Sequence, residues 1–216
     1  HVKRRPQDYS KRTRLKPTPK AGITNVTLTF SDMKYFFECP YQFKLRILYG
    51  FNAPIDEALG YGKSLHDALA NVHTKVINGE KIDESAVPAL VETHLHAPYA
   101  YKTLHELLEK SAKKVLTDYF SDNKKDFKNI EFSEKLIEVN MGDGVSVVGR
   151  IDLVRRKGTG ETTIVDLKST KRAQAEEVTE TQLHVYALGY HELTGCNPDY
   201  VEIYNLDERK RKPRSV

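Results

Sequence analysis

Two carboxylates and an ammonium interrupt runs that otherwise read as strands. Asp152 ends the run Gly149-Arg150-Ile151-Asp152, and Asp166 and Lys168 sit within Ile164-Val165-Asp166-Leu167-Lys168. Asp is disfavoured in strands, and a carboxylate buried without a partner is costly, so both placements demand a compensating cation. Side chains at i and i+2 of a strand share a face, so Asp166 and Lys168 project together while Leu167 turns into the core. Oxygen ligands suit Mg²⁺ or Mn²⁺, and a lysine beside them can orient a water or offset developing charge. This is the outline of a metal-dependent hydrolytic site. An Asp-x-Lys pair also arises by chance on many strands, so its surroundings must decide.

Bringing these residues together requires a hairpin. Strands are expected over residues 130–139, 145–155 and 162–168, the first two joined through Gly142-Asp143-Gly144 and the last two through the turn material of Lys157 to Gly160. Ahead of them, Ser31 is placed to cap a helix whose Met33, Phe36 and Phe37 face inward, with Pro40 forcing a break. Gly60 and Gly62 lead into a helix over 64–76, on which His66, Leu69, Ala70 and His73 form a stripe. A longer helix over 102–120 carries Leu104, Leu107, Leu108, Ala112, Val115, Leu116 and Tyr119 at helical spacing. A helix over 179–193 is closed by Gly195, and 200–205 reads as a last strand.

Several further residues could join the site, each with a bland alternative. A histidine on an apolar stripe is more often a satisfied core residue than a ligand, and His73 is read so. His66 differs in lying one turn into a helix entered through two glycines. Glu134 shares strand parity with Phe132 and Leu136, which leaves an inward face and a solvated edge both open. Gln182 and Tyr186 share one helix face, although Tyr186 also fits a core stripe with Leu183, Ala187 and Tyr190. Lys171, Arg172 and Arg150 are candidate phosphate contacts, with a solvated turn as the alternative for the first two.

Taken in order, Gly62 to His66, Gly149 to Asp152, Asp166 to Lys168 and Gln182 to Tyr186 resemble the motifs of a RecB-type nuclease domain of the PD-(D/E)XK superfamily. The stretch Phe30 to Leu45, with its Tyr35, Cys39-Pro40 and Phe43, is similar to the start of helicase-associated, AddB-like nuclease domains. Val165 stands where the superfamily name puts proline. The resemblance spans about residues 28 to 205 and implies a restriction-endonuclease-like α/β fold, a mixed sheet flanked by helices with an N-terminal helical segment. It also implies a DNA nuclease, with exonuclease action favoured and endonuclease action left open. Asp152, Asp166, Lys168, Gln182 and Tyr186 would be catalytic. Mg²⁺ or Mn²⁺ would be held by His66, Asp152, Asp166 and the Leu167 backbone carbonyl, with Glu134 as a weaker ligand. The implied partners are DNA, as single strands or duplex ends, and a helicase motor in cis or in trans, in repair, recombination or defence. A catalytically inactive DNA-binding module of the same fold is the alternative. Relatives that hold an iron-sulfur cluster use the position of Cys39 with three cysteines near the carboxyl end. Cys196 is the one other cysteine here, so no cluster is expected.

Composition fits one domain, with 216 residues and no secretory pattern or long apolar run, so an intracellular, cytoplasmic and nucleoid-associated protein with no membrane partner is expected. The net charge of +4 is unevenly spread. Residues 1–20 hold eight basic residues against the single acid Asp8. Residues 1–22 are therefore expected to be an extended arm, on DNA phosphates or as a linker, with the nuclease domain over 23–216. The basic run Glu208 to Arg214 ends the chain abruptly, which suggests a fragment of a longer protein.

Overall fold

Residues 26–51, 56–169 and 176–215 are described by a computed structural model. A short strand β1 (Val26–Thr29) leads into helix α1 (Phe30–Glu38). The cap is Thr29, two residues ahead of the expected Ser31: its hydroxyl accepts from Asp32 N while the Asp32 carboxylate accepts from Thr29 N, a reciprocal box that satisfies two free amides. Pro40 does interrupt the helix, opening the short α2 (Pro40–Phe43), which passes into one π-turn over Lys44–Leu48. Phe36 and Phe37 do not face inward as expected; both are about half exposed, and Met33 with Phe30 makes the packing contact.

Helix α3 (Tyr61–Ile77) begins a turn earlier than its apolar stripe suggests, because Gly60 takes a left-handed φ of 100° and serves as its N-cap. A Cβ on Gly60 would lie 2.2 Å from the His96 carbonyl oxygen, so no other residue fits there. Helix α4 (Val87–His94) was not legible as a separate element; α5 (Lys102–Asn123) runs one turn past the expected end. Its Leu107 is exposed rather than buried. Then come β2 (Ile130–Gly142), β3 (Val145–Arg156), β4 (Thr162–Lys168), α6 (Glu176–Thr194), β5 (Tyr200–Asn205) and β6 (Lys210–Ser215). The basic run at the chain's end contributes a sixth strand, and Pro213 and the lysines suit an edge position.

The sheet runs β1-β3-β4-β5-β6, with β2 along the other edge of β3. β1 pairs in parallel with Val145 to Val148, and β4 pairs antiparallel with Leu153 to Arg156. Since β2 pairs with both stretches, β1 and β4 share one edge of β3 and leave Gly149 to Asp152 unladdered between them. That gap holds the site. Helices α3, α4 and α5 cover one face over Leu153, Val165 and Leu167; α6 covers the other over Ile137, Ile151, Val154 and Ile164. No helix among the described residues is long and apolar enough to cross a membrane.

Candidate metal and nuclease site

Regular strands keep same-face residues an even number apart. Here Phe132 and Ile137 on β2 both pack toward α6, as do Ile151 and Val154 on β3. Both spacings are odd, so the alternation reverses once on each strand. On β2 the reversal falls at Glu134, whose φ is 51°, left-handed backbone that a non-glycine residue rarely adopts. The flanking pairs Ser133↔Leu153 and Lys135↔Ile151 place Glu134 directly across from Asp152. The parity expected to join Glu134 with Phe132 and Leu136 is therefore broken, and Leu136 lies exposed.

The two reversals turn Glu134 and Asp152 toward α3. His66 Nδ1 lies 3.6 Å from Asp152 Oδ1, an ionic contact longer than a hydrogen bond. Ligand atoms of His66, Glu134 and Asp152 all lie within 4.8 Å of one another. The other Asp152 oxygen accepts from the Leu167 amide at 2.8 Å, so the carboxylate spans the gap where the β3–β4 ladder has lapsed. Helix α3 approaches the end of β4 closely: a Cβ on Gly62 would lie 2.6 Å from Ser169 Oγ.

Asp166 and Lys168 project together from β4, while Leu167 is buried against α3 and α5. Lys168 Nζ donates to Asp166 Oδ1 at 3.1 Å and to Gln182 Oε1 at 3.2 Å, and Gln182 Nε2 donates to the Tyr186 hydroxyl at 2.7 Å. This chain fixes the ammonium from helix α6. Tyr186 is seated through Gly149, where a Cβ would lie 3.3 Å from the ring. Asp166 is 2 % exposed; its Oδ2 lies 2.8 Å from Nζ but off any hydrogen-bonding direction, a buried acceptor with spare capacity.

The site is electrostatically loaded. Burial raises the Asp166 carboxyl to about 6, opposed by the Lys168 charge and reinforced by Asp152. Burial and then Asp152 raise Glu134, against His66 and Arg150. Burial alone would lower His66, but Asp152, with Glu134 and Asp166 behind it, raises it. Burial raises the Tyr186 phenol far above its ordinary range, so it stays protonated. Nitrogen and carboxylate donors crowded at one point, with the buried Asp166 carboxylate alongside, suit a hard divalent cation.

The structure thus gathers His66, Glu134 and Asp152 into one cluster, with Asp166, Lys168, Gln182 and Tyr186 linked beside it. Glu134, the weaker candidate from sequence, sits in the cluster; Asp166 is engaged by Lys168. Arg150 lies at the rim, its guanidinium 3.5 Å from Glu134. Lys171, Arg172 and the arm over 1–22 lie outside the described residues. Sequence missed Ser133, whose hydroxyl lies 3.3 Å from His73 Nδ1 beneath the site, while the other His73 nitrogen meets the Tyr119 hydroxyl at 2.8 Å.

No curated protein matches the chain in sequence. Among solved structures, a protein of Eubacterium rectale named as a candidate exonuclease is similar over 88 % of this chain and 72 % of its own, at 12 % identity and a TM-score of 0.52, which supports a shared fold. A second, SSO0001, is 14 % identical over 83 % of this chain and 77 % of its own, with a TM-score of 0.33. The mixed sheet flanked by helices is restriction-endonuclease-like. The sequence profile of the PD-(D/E)XK nuclease superfamily matches residues 27–216, every described element from β1 to β6 falling within or at the edge of that span, and the chain belongs to that superfamily.

Proposed function

We propose that the protein is a Mg²⁺- or Mn²⁺-dependent DNA nuclease that hydrolyses phosphodiester bonds. The observation that carries it is a buried Asp166 clamped to Lys168, set beside three ligand-type side chains that converge from α3, β2 and β3. His66, Glu134, Asp152 and Asp166, with the Leu167 carbonyl, would hold the ion. A bound divalent ion supplies Lewis acidity, lowering the pKa of a water and neutralising charge on a phosphate oxygen. Lys168 orients the attacking water and offsets charge at the phosphorus; Gln182 and Tyr186 hold the ammonium on target. Arg150, Lys171 and Arg172 contact the DNA backbone. Attack by water needs no protein nucleophile.

The RecB-type motifs favour exonuclease action and service to a helicase motor, in cis or in trans, in DNA repair, recombination or defence. The name of the Eubacterium rectale structure is in line with the exonuclease part of this reading alone. End-labelled linear DNA and closed circular DNA, incubated with Mn²⁺ or with chelator, test the metal dependence and the exonuclease action. Metal-dependent loss of the linear substrate alone is expected; cutting of the circle would make it an endonuclease. Lys168→Ala should abolish cleavage while Mn²⁺ still raises the melting temperature, because the lysine acts on the reacting phosphate. Wild-type cleavage by that variant would refute the assignment.

A further inference from the structure

The two cations beside the ligand cluster are held differently. Lys168 is 28 % exposed and tied to both Asp166 and Gln182. Arg150 is 57 % exposed and, among the described residues, Glu134 is its one salt-bridge partner. Glu134 Oε2, which meets Arg150, belongs to the carboxylate that also faces His66 and Asp152. A long exposed guanidinium can leave at little cost, since exposed ion pairs are weak. The Glu134 backbone cannot swing away with it, because its left-handed φ is locked between the ladder pairs Ser133↔Leu153 and Lys135↔Ile151.

We propose that Arg150 is a resident counter-cation for Glu134 which the metal ion displaces, so that metal entry releases a guanidinium to the phosphate backbone of DNA. The inference rests on the metal-site assignment above and adds a coupling to it. Two cations drawn to one carboxylate repel each other and compete for its charge, so Arg150 weakens metal binding in the free protein. Once displaced, it lies at the rim of the site with its charge unmatched. By linkage, whatever metal does to DNA affinity through this residue, DNA does to metal affinity.

The full chain is titrated with Mn²⁺ by calorimetry as wild type, Arg150→Gln, Arg150→Lys, Asp152→Asn and Glu134→Gln. Arg150→Gln should bind Mn²⁺ roughly three- to tenfold more tightly, and Arg150→Lys, which keeps the charge, should stay near wild type. In the Glu134→Gln background, Arg150→Gln should change little, because the contested charge is gone. DNA affinity is then measured with and without Mn²⁺ in a Lys168→Ala background, where cleavage cannot confuse binding. The gain on adding Mn²⁺ should shrink when Arg150→Gln is added. Unchanged or weaker Mn²⁺ binding by Arg150→Gln, with Asp152→Asn still abolishing it, overturns the exchange alone. Absence of Mn²⁺ binding by wild type overturns the metal site and the exchange together.

Discussion

His73 and Asp166 should oppose each other as pH falls. His73 is 1 % exposed, and burial lowers its pKa from 6.5 to about 4. Between those values the unfolded chain binds a proton that the native chain refuses. Its contribution is therefore whole above pH 6.5 and is lost on acidification toward pH 4, by about 3 kcal/mol. Asp166 runs the other way. Its carboxyl is raised from 3.8 to about 6, so across that window the native chain binds the proton more readily than the unfolded one, and acidification stabilises. Protonation of Asp166 also removes repulsion from Asp152. The two windows overlap, so metal-free wild-type protein should lose less stability between about pH 7 and pH 4 than His73 alone would take. Urea unfolding in chelator across that range, on wild type, His73→Gln and Asp166→Asn, separates them. Relative to wild type, His73→Gln should gain stability as pH falls, by about 3 kcal/mol over the window, and Asp166→Asn should lose it. Parallel curves for His73→Gln and wild type would show that His73 is not held neutral. Parallel curves for Asp166→Asn and wild type would refute the burial assigned to the carboxylate.

Two perturbations test the geometry of the strand reversals. At Glu134, with φ 51°, glycine is free and alanine is strained, so Glu134→Gly should be about 1 kcal/mol more stable than Glu134→Ala by chemical denaturation, while both lose Mn²⁺-induced stabilisation. Equal stability would mean that the backbone there is not left-handed. Gly189 on α6 lies against Ile137, where a Cβ would come within 2.3 Å of Cδ1 and 2.8 Å of the isoleucine Cβ, so Gly189→Ala must push the helix off β2 and cost about 1–3 kcal/mol. A thermal melt unchanged from wild type would rule out that close approach.

Much of the scaffold was legible because its signals are local. The hairpin of β3 and β4 follows from apolar β-branched runs around Lys157 to Gly160, and Gly142, Asp143 and Gly144 supply three successive positive φ values at the preceding turn. Asp166 and Lys168 share a face simply because a strand has period two, and the ion pair between them follows. The ends of elements were less legible. Thr29 rather than Ser31 caps α1 because its hydroxyl and Asp32 satisfy each other, and Phe36 and Phe37 lie outside because α1 meets the sheet through Phe30 and Met33. Strand β6 was hidden by its charges, since an edge strand need bury nothing on its outer side.

What sequence pattern could not give was the break in the pattern. A period-two rule assigns Glu134 the face of Phe132, yet one left-handed residue reverses that rule and sends Glu134 to the opposite side, toward His66. The matching reversal on β3 puts Asp152 and Leu153 on adjoining positions of the same side, and the carboxylate accepts from the Leu167 amide that the lapsed ladder leaves without a strand partner. A regular pair of strands would bury Glu134 beneath α6, away from His66. The strain at Glu134 and the reversal on β3 thus belong together, because Ile137, Ile151 and Val154 all pack under α6 only when both strands reverse.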